Sequence, residues 1–315
     1  MTLAFLAMLT WATLPVALAL ALTDVDPWTL TWFRFLVATL FVGVWLSSRR
    51  TLAWPGRGGR SGRVMLGVAA VGLTTNYMLY IIGLDLTTPA ITQVLTQTAP
   101  MLLGLGGICF FGERYSKGQW LGFALLVAGL IVFSRDQLAA FAEQATQLWR
   151  GGVFILLGAV AWAAYALTQK EMLNHYSSMS IMCFIYGFAT IVLLPAIAPG
   201  QLWALSPMSW MVVSCCALNT LVAYGAFAES LNHWEASRVS AVLALTPVGT
   251  VAFVFLVDAF YPGILPTERL NWVSLAAAGL VVAGSVVTSL GGRQPLNARS
   301  EELVERRTVL GRSRE

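Results

Sequence analysis

Ten apolar stretches of about 20 residues follow one another along this chain, and they limit its possible folds more than any other feature. An α-helix of about 20 apolar residues spans the hydrocarbon core of a bilayer. The sequence predicts such helices at 3–22, 28–47, 64–84, 89–111, 118–134, 151–170, 178–198, 207–229, 237–260 and 270–290. Only 11% of the residues are charged, against roughly 25% in a soluble domain. We therefore predict an all-α integral membrane protein with ten transmembrane helices.

The positions of lysine and arginine predict the orientation of these helices, because positive charge concentrates in cytoplasmic loops. If the N-terminus is cytoplasmic, 15 of the 19 basic residues lie on the inner side and three lie on the outer side. Both termini are thus expected in the cytoplasm of a multi-pass protein of the cell (inner) membrane, with a cytoplasmic tail at 291–315. No basic residue precedes the first stretch, as it would in a signal peptide, so we interpret it as a mature helix.

The two halves of the chain resemble each other. The pairs aligned by an offset of 147 are Tyr77 with Tyr224, Gln93 with Ser240 and Pro100 with Pro247, and an offset of 151 aligns Trp11 with Trp162. Because five helices are an odd number, the second half crosses the membrane in the opposite direction. The sequence predicts two inverted five-helix repeats, 1–134 and 151–290, joined by an outer amphipathic connection at 135–150. Inverted repeats are common in transporters, which bind substrate where the repeats meet.

A set of tryptophan, proline, glycine and polar residues marks the predicted helices and the loop before the fifth. These are Trp11, Pro15, Pro27, Arg34, Asn76, Tyr80, Ala99-Pro100, FGERYSKGQWLG at 111–122, Trp162, Thr246-Pro247, Gly279 and Gly284. In this combination the chain resembles EamA-type members of the drug/metabolite transporter superfamily over about residues 3–290. The resemblance implies ten helices in two inverted halves and leaves the substrate open. The segment 255–272 departs from the family pattern, which usually has a short loop with a glutamate there.

Polar and aromatic residues inside the predicted spans are the candidates for a substrate cavity, since polar side chains in a bilayer face the protein interior or water. Gln93, Thr96 and Gln97 share one side of the fourth helix. The other candidates of this kind are Trp11, Asn76, Tyr77, Tyr80, Trp162, Tyr165, Asn219, Tyr224 and Ser240. Helix packing explains the same residues, and both interpretations stay open at this point. Pro100 and Pro247 are expected to kink their helices.

Arg34 lies within the second apolar stretch, where a charge in hydrocarbon costs at least ~2.5 kcal/mol. Three arrangements would lower this cost. Arg34 could pair inside the bundle with carbonyls, a helix end or Asp85, extend to the outer headgroups, or contact an anionic group of the substrate. We therefore include it among the candidate cavity residues. Glu229 and Asp258 are the acids closest to mid-span, and they are the candidates for coupling to protons.

Small residues in the fifth and tenth spans predict close helix contacts. They are Gly118, Gly122, Gly279 and Ala283. The four cysteines lie inside apolar runs at spacings that fit neither a disulfide framework nor a zinc site. We therefore expect no metal site.

A secondary transporter is the function that the pattern favours. A membrane enzyme would need a convergent catalytic set, but the chain has two histidines and no HExxH, GxSxG or Walker motif. We predict no enzymatic activity, no cofactor and no nucleic-acid partner. The expected partners are the lipid bilayer and a small organic solute, namely an amino acid, metabolite or drug-like compound, exported by alternating access. A non-transporting sensor or scaffold is the alternative, and the oligomeric state stays open.

Overall fold

The computed structural model of the chain describes residues 1–50, 59–87, 89–133, 135, 146–260 and 272–290. In this part of the chain the backbone forms helices and turns and no strand. The helices are α1 (Thr2–Ala21), α2 (Pro27–Ser48), α3 (Gly59–Leu86), α4 (Pro89–Thr96), α5 (Thr98–Phe111), α6 (Lys117–Phe133), α7 (Thr146–Met172), α8 (Ser178–Leu193), α9 (Gly200–Trp203), α10 (Pro207–His233), α11 (Ala236–Leu243), α12 (Thr246–Phe260) and α13 (Trp272–Leu290). A 3₁₀ turn, Leu194–Ala196, follows α8.

Eight helices of the described part are long and apolar enough to cross a membrane. Two of these spans, Val94–Phe111 and Ala236–Phe253, combine the two pieces of a broken helix. Two shorter apolar helices, Lys117–Phe133 and Ala276–Thr288, accompany them. At a rise of about 1.5 Å per residue, the lengths of the eight longer spans suit an apolar layer of about 30 Å.

Polar residues in the predicted turns fix where several helices begin. Asp26 Oδ1 accepts hydrogen bonds from two N–H groups in the first turn of α2, at 2.9 and 3.1 Å, and Pro27 is the first helical residue. Ser177 and Ser206 cap α8 and α10 in the same way. Each cap satisfies an N–H group that has no partner within the helix.

The two spans predicted at 89–111 and 237–260 are each broken in the middle. One break lies at Gln97, between α4 and α5, and the other lies at 244–245, between α11 and α12. Pro100 and Pro247 therefore stand in the first turns of α5 and α12, where a helix has no use for the missing N–H. The expected kinks are interruptions of the helix.

Several helix contacts of the described residues recur when the two halves are exchanged. The sequence offsets relate α1 to α7, α2 to α8, α3 to α10, α4 and α5 to α11 and α12, and α6 to α13. The contact α3–α7 then maps onto α1–α10, α5–α7 onto α1–α12, α4–α7 onto α1–α11, and α2–α10 onto α3–α8. The pairs α2–α8 and α6–α13 map onto themselves.

Backbone-to-backbone contact between α6 and α13 depends on Gly122 and Gly284. A Cβ atom added to Gly284 would lie 2.5 Å from Leu126 N, and one added to Gly122 would lie 2.7 Å from Thr288 N. The prediction that Gly279 makes such a contact is wrong, because no atom lies within 4 Å of a Cβ added there. Gly279 and Ala283 lie on the exposed side of α13, and Gly284 lies on its buried side.

The predicted connection at 135–150 is shorter than expected, since α7 already begins at Thr146. Residues 136–145 lie outside the described residues, as do 261–271 in the segment that departs from the family pattern and the predicted tail at 291–315.

Candidate transport cavity

A cavity of about 90 Å³ lies where the two helix breaks meet the surrounding helices. Its lining comes from α1, α2, α3, α4, α5, α7, α10, α11 and α12. The lining residues are Trp11, Leu14, Leu18, Arg34, Asn76, Tyr77, Tyr80, Thr96, Gln97, Ala99, Pro100, Trp162, Tyr224, Leu243 and Thr246. Because roughly 10–15 Å³ suffices for one water, the cavity has room for several waters or a small organic group.

Most of the predicted site residues meet at this cavity. Those that line it are Trp11, Arg34, Asn76, Tyr77, Tyr80, Thr96, Gln97, Trp162 and Tyr224. The sequence reasoning missed Leu14, Leu18 and Leu243, since a leucine inside an apolar helix carries no distinguishing signal. Ala99 and Thr246 were also missed as site residues, although the repeat alignment pairs them and could have indicated both.

Three predicted site residues lie away from the cavity. Tyr165 is fully buried, and its hydroxyl donates to Met182 Sδ at 3.4 Å. Asn219 Nδ2 donates to the carbonyl oxygen of Thr10 on α1. Ser240 faces α5, where a Cβ added to Gly104 would lie 2.8 Å from Ser240 Oγ.

In the structure these three side chains make contacts between helices. The side chain of a fourth candidate, Gln93, lies outside the described residues.

Aromatic rings from four helices form one wall of the cavity. The ring of Trp11 on α1 lies 5.0 Å from Tyr224 on α10 and 6.0 Å from Trp162 on α7, both edge to face. Tyr77 on α3 continues the wall, 5.4 Å from Tyr224. Edge-to-face aromatic pairs contribute about 0.5–1.5 kcal/mol each beyond their buried area. The wall therefore joins helices of both sequence halves and presents ring surface to the cavity.

Arg34 points into the bundle. Its side chain is 2% exposed, its Nε donates to Thr220 Oγ1 at 2.9 Å, and its Cζ lies 4.7 Å from the centre of the Tyr77 ring. Extension toward the headgroups is therefore wrong for this arginine. Asp85, the carboxylate considered as its partner, is exposed on α3. Arg34 thus brings a positive charge to the cavity wall and holds it there with neutral groups.

The polar lining residues also hold helices together. Asn76 Nδ2 donates to the Gly158 carbonyl on α7 at 2.9 Å, and Thr96 Oγ1 donates to the Thr92 carbonyl one turn back at 2.7 Å. Gln97 is 5% exposed at the break between α4 and α5. Among the described residues no aspartate or glutamate lines the cavity.

Of the two acids considered for coupling, Glu229 does not line the cavity. Glu229 lies near the end of α10, where it accepts hydrogen bonds from Ser178 and Asn232 and pairs with His233 at 3.0 Å. Its side chain is 38% exposed. The side chain of Asp258 lies outside the described residues.

A second charged group, Glu113, connects the turn between α5 and α6 with the start of α11 and the end of α7. Glu113 Oε1 and Oε2 accept hydrogen bonds from the Ala236 and Ser237 N–H groups at the start of α11, at 2.9 and 3.0 Å. Lys170 Nζ, at the end of α7, lies 3.5 Å from Glu113 Oε1. Burial and the nearby charge of Glu113 raise the pKa of Tyr115 to about 12, so its hydroxyl stays neutral at pH 7.

Comparison with known proteins decides the family. The sequence model of the EamA-like transporter family matches residues 1–135 and 149–290. The chain belongs to this family. The EamA-like transporter is accordingly a multi-pass membrane protein that moves small solutes, as the resemblance to the drug/metabolite transporter superfamily indicated.

Individual relatives of this EamA-like transporter are also named as transporters. An uncharacterized transporter of Haemophilus influenzae is 30% identical and covers 92% of this chain and 94% of its own length. An uncharacterized inner membrane transporter, YhbE, of Escherichia coli K12 is 32% identical, with 90% and 88% covered. One crystal structure superposes on 93% of this chain and 98% of its own with a TM-score of 0.69 at 20% identity, which shows a shared fold.

A more distant relative of the EamA-like transporter has a more specific name. A probable amino-acid metabolite efflux pump of Escherichia coli K12 is 22% identical and covers 92% of this chain and 95% of its own length.

Replacing Asn219 of the EamA-like transporter by alanine is expected to weaken the fold without changing solute binding. The substitution removes the hydrogen bond from Asn219 Nδ2 to the Thr10 carbonyl, and hydrogen bonds between membrane helices contribute about 0.6 kcal/mol on average. Thermal unfolding of the purified protein measures the loss, and the solute dissociation constant serves as the control. A weakened dissociation constant with unchanged stability would assign Asn219 to the cavity.

Proposed function

We propose that this EamA-like transporter is a secondary exporter of a small organic solute that works by alternating access. Its ten transmembrane helices form two inverted five-helix repeats, residues 1–134 and 151–290, with both termini in the cytoplasm. The solute occupies the cavity between the repeats. The two repeats rock around that cavity and expose it to one side of the membrane at a time.

The observation that carries this proposal is that one cavity takes its lining from both sequence halves and from both helix breaks. Gln97 and Pro100 lie at the first break, and Leu243 and Thr246 lie at the second. Broken helices at the junction of repeats are the usual place for a transporter site, since an interrupted backbone is tolerated where it lines a cavity.

Three further observations support the inverted repeats. Several of the helix contacts exchange in pairs when the halves are exchanged. The helix breaks at 97 and 244–245 fall at positions related by the offset of the sequence repeat. The family model matches two separate segments of similar length. The excess of basic residues on one side supports cytoplasmic termini.

The direction of transport rests on a relative. The Escherichia coli protein that is 22% identical is described as a probable efflux pump, and we propose export for this chain on that basis. The cavity of the described residues contains no acid that could carry a proton, so a requirement for a proton gradient is tested directly.

The decisive experiment is flux of labelled solutes through purified protein in liposomes. A broad panel of organic acids, amino acids and amines is loaded with and without a proton gradient. We expect at least one class to move faster than in empty vesicles and to saturate. If every member of the panel moves at the rate of empty vesicles, the protein is no carrier of such solutes, and saturable binding without flux would favour a sensor.

A Gln97→Ala substitution is expected to lower transport several-fold at an unchanged amount of folded protein. Gln97 lines the cavity at a helix break, where its amide can contact the solute. Gln119→Ala is the matched control, because Gln119 is 2% exposed and Nε2 donates to the Thr288 carbonyl at 3.3 Å, away from the cavity. Flux per folded molecule, with folded protein counted by size-exclusion chromatography, separates the two. An equal loss of folded protein in both variants would show that Gln97 serves packing.

A further inference from the structure

The charge of Arg34 has no anionic partner in the described part of the chain. Its Nε bonds a threonine hydroxyl, Thr220 Oγ1, which in turn donates to the Cys216 carbonyl at 3.1 Å. The other contact is the face of the Tyr77 ring. The salt bridges among the described residues join other side chains. Neutral partners orient a guanidinium and leave its charge uncompensated.

An uncompensated charge at this burial is costly. The effective penalty for moving one ion out of water is several kcal/mol, and an anion in contact offsets much of it. Arg34 lines the cavity, so an anion that enters the cavity can reach it. A ligand with a negative group would therefore gain an ion pair whose protein side is already desolvated and oriented.

The helix breaks bring partial charges of both signs to the same space, since Thr96 and Leu243, the last residues of α4 and α11, also line the cavity. Ala99 and Pro100 in the first turn of α5 and Thr246 at the start of α12 all line the cavity. The N-terminus of a helix carries a partial positive charge of roughly half an elementary unit. The C-terminus of a helix carries a negative partial charge of the same size, so the two helix ends at each break offset each other and Arg34 is the net positive charge of the described lining.

The rest of the lining suits an apolar body. Trp11, Trp162 and Tyr224 present ring surface, and Leu14, Leu18 and Leu243 complete an apolar wall. Asn76, Thr96 and Gln97 are uncharged hydrogen-bonding groups. Among the described lining residues there is no carboxylate to pair with an ammonium group.

From Arg34, the lack of a carboxylate among the described lining residues and the ring wall, we infer that the cavity takes a small organic monoanion. Its carboxylate pairs with Arg34, and its apolar or aromatic body packs on Trp11, Trp162 and Tyr224. This inference rests on the proposed function, and it narrows the transported solute to organic monoanions with an apolar or aromatic body.

Binding of two isosteric probes tests the class. We compare 3-phenylpropionate with 3-phenylpropionamide, which has the same shape and no charge, by calorimetry on the purified protein at pH 7. An ionic hydrogen bond contributes about 1.5–3 kcal/mol, so the carboxylate is expected to bind at least about tenfold more tightly. Phenylalanine adds an ammonium group and is expected to bind more weakly than 3-phenylpropionate. Equal binding of carboxylate and amide, or tighter binding of phenylalanine, overturns the inference.

Substitution of Arg34 tests the role of that side chain. In Arg34→Gln the preference for carboxylate over amide is expected to fall to about one, and Arg34→Lys is expected to keep part of it. Arg49→Gln is the matched control, since Arg49 also stands over a ring, Trp45, at 4.8 Å, but at the exposed end of α2. A preference that persists in Arg34→Gln overturns the inference. If Arg34→Gln does not fold, the wild-type comparison of the two probes decides alone.

Flux separates this inference from the proposed function. Liposomes are loaded with labelled 3-phenylpropionate and with the neutral and cationic members of the panel. Saturable flux of neutral or cationic solutes alone supports the proposed transport function and overturns the inference that the solute is an anion. Tight, Arg34-dependent binding of 3-phenylpropionate without any flux supports the anion site at Arg34 and overturns the proposed transport function.

Discussion

A Gly284→Ala substitution is expected to lower the free energy of unfolding by about 3 kcal/mol. The added Cβ would lie 2.5 Å from Leu126 N and 2.7 Å from the Gly122 carbonyl oxygen, and both atoms belong to the backbone of α6. Backbone atoms cannot rotate away as a side chain does, so α6 and α13 must separate along their whole contact. Overpacking costs typically 1–3 kcal/mol, and this site belongs at the upper end, a large share of an ordinary folding free energy of about 5–15 kcal/mol.

Gly279→Ala is the control on the same helix. A Cβ at Gly279 meets no atom within 4 Å, and alanine is a better helix former than glycine by roughly 1 kcal/mol. This variant is expected to be as stable as the wild type or more stable. Thermal unfolding in detergent and the fraction that elutes as folded protein measure both variants. Equal stability of Gly284→Ala and Gly279→Ala would show that α6 and α13 are farther apart than the structure has them.

The arrangement of spans could be predicted from the sequence because the bilayer imposes a length and a polarity on each helix. An irregularity near the middle of the two broken spans could be predicted as well, since Pro100 and Pro247 remove a backbone hydrogen bond wherever they stand. It could not be predicted that the helices are interrupted there, because the sequence does not say whether a proline lies within a helix or in the first turn of a new one. Both prolines lie in a first turn.

Which side of a helix faces the cavity was the part that the sequence left open. Asn219 and Tyr224 both lie well inside α10, but five residues at about 100° each place them roughly 140° apart around the axis. Tyr224 therefore lines the cavity, and Asn219 faces α1. The partner of Arg34 is Thr220, 186 residues away in the chain. Neither relation follows from local spacing, because both depend on how the helices are rotated and which of them meet.

The turn between α5 and α6 is built to present Glu113 to the start of α11. Gly112 ends α5 at φ 65°, a left-handed conformation that glycine adopts without a steric penalty. The carboxylate then folds back over α5 at Gly107, where a Cβ would lie 2.5 Å from Glu113 Oε2. This space lets both oxygens reach the Ala236 and Ser237 N–H groups. One carboxylate thus joins the turn before the last helix of the first sequence half to the broken helix of the second.

Replacing Glu113 by glutamine is therefore expected to loosen the contact between the α5–α6 turn and α11. We expect this change to open the cavity on the side of that contact and to lower transport at least about tenfold. The amide keeps one acceptor oxygen, turns an NH₂ group toward the other N–H, and loses the attraction of Lys170 Nζ and of the α11 N-terminus. Hydrogen bonds to a charged group contribute about 1.5–3 kcal/mol, and each 1.4 kcal/mol is about a factor of ten. In the proposed topology the end that opens faces the cytoplasm.

Labelling of a single cysteine measures the opening. Leu14→Cys, in a background without the four native cysteines, places a thiol on the cavity wall. In Glu113→Gln we expect it to react with a membrane-impermeant maleimide at least about tenfold faster from the cytoplasmic side. Glu229→Gln is the control, because Glu229 also accepts hydrogen bonds but is 38% exposed and lies away from the cavity, where ionic contacts contribute about 0–1 kcal/mol. Equal labelling rates in wild type and Glu113→Gln would mean that Glu113 only stabilises the turn, and that another contact closes this end.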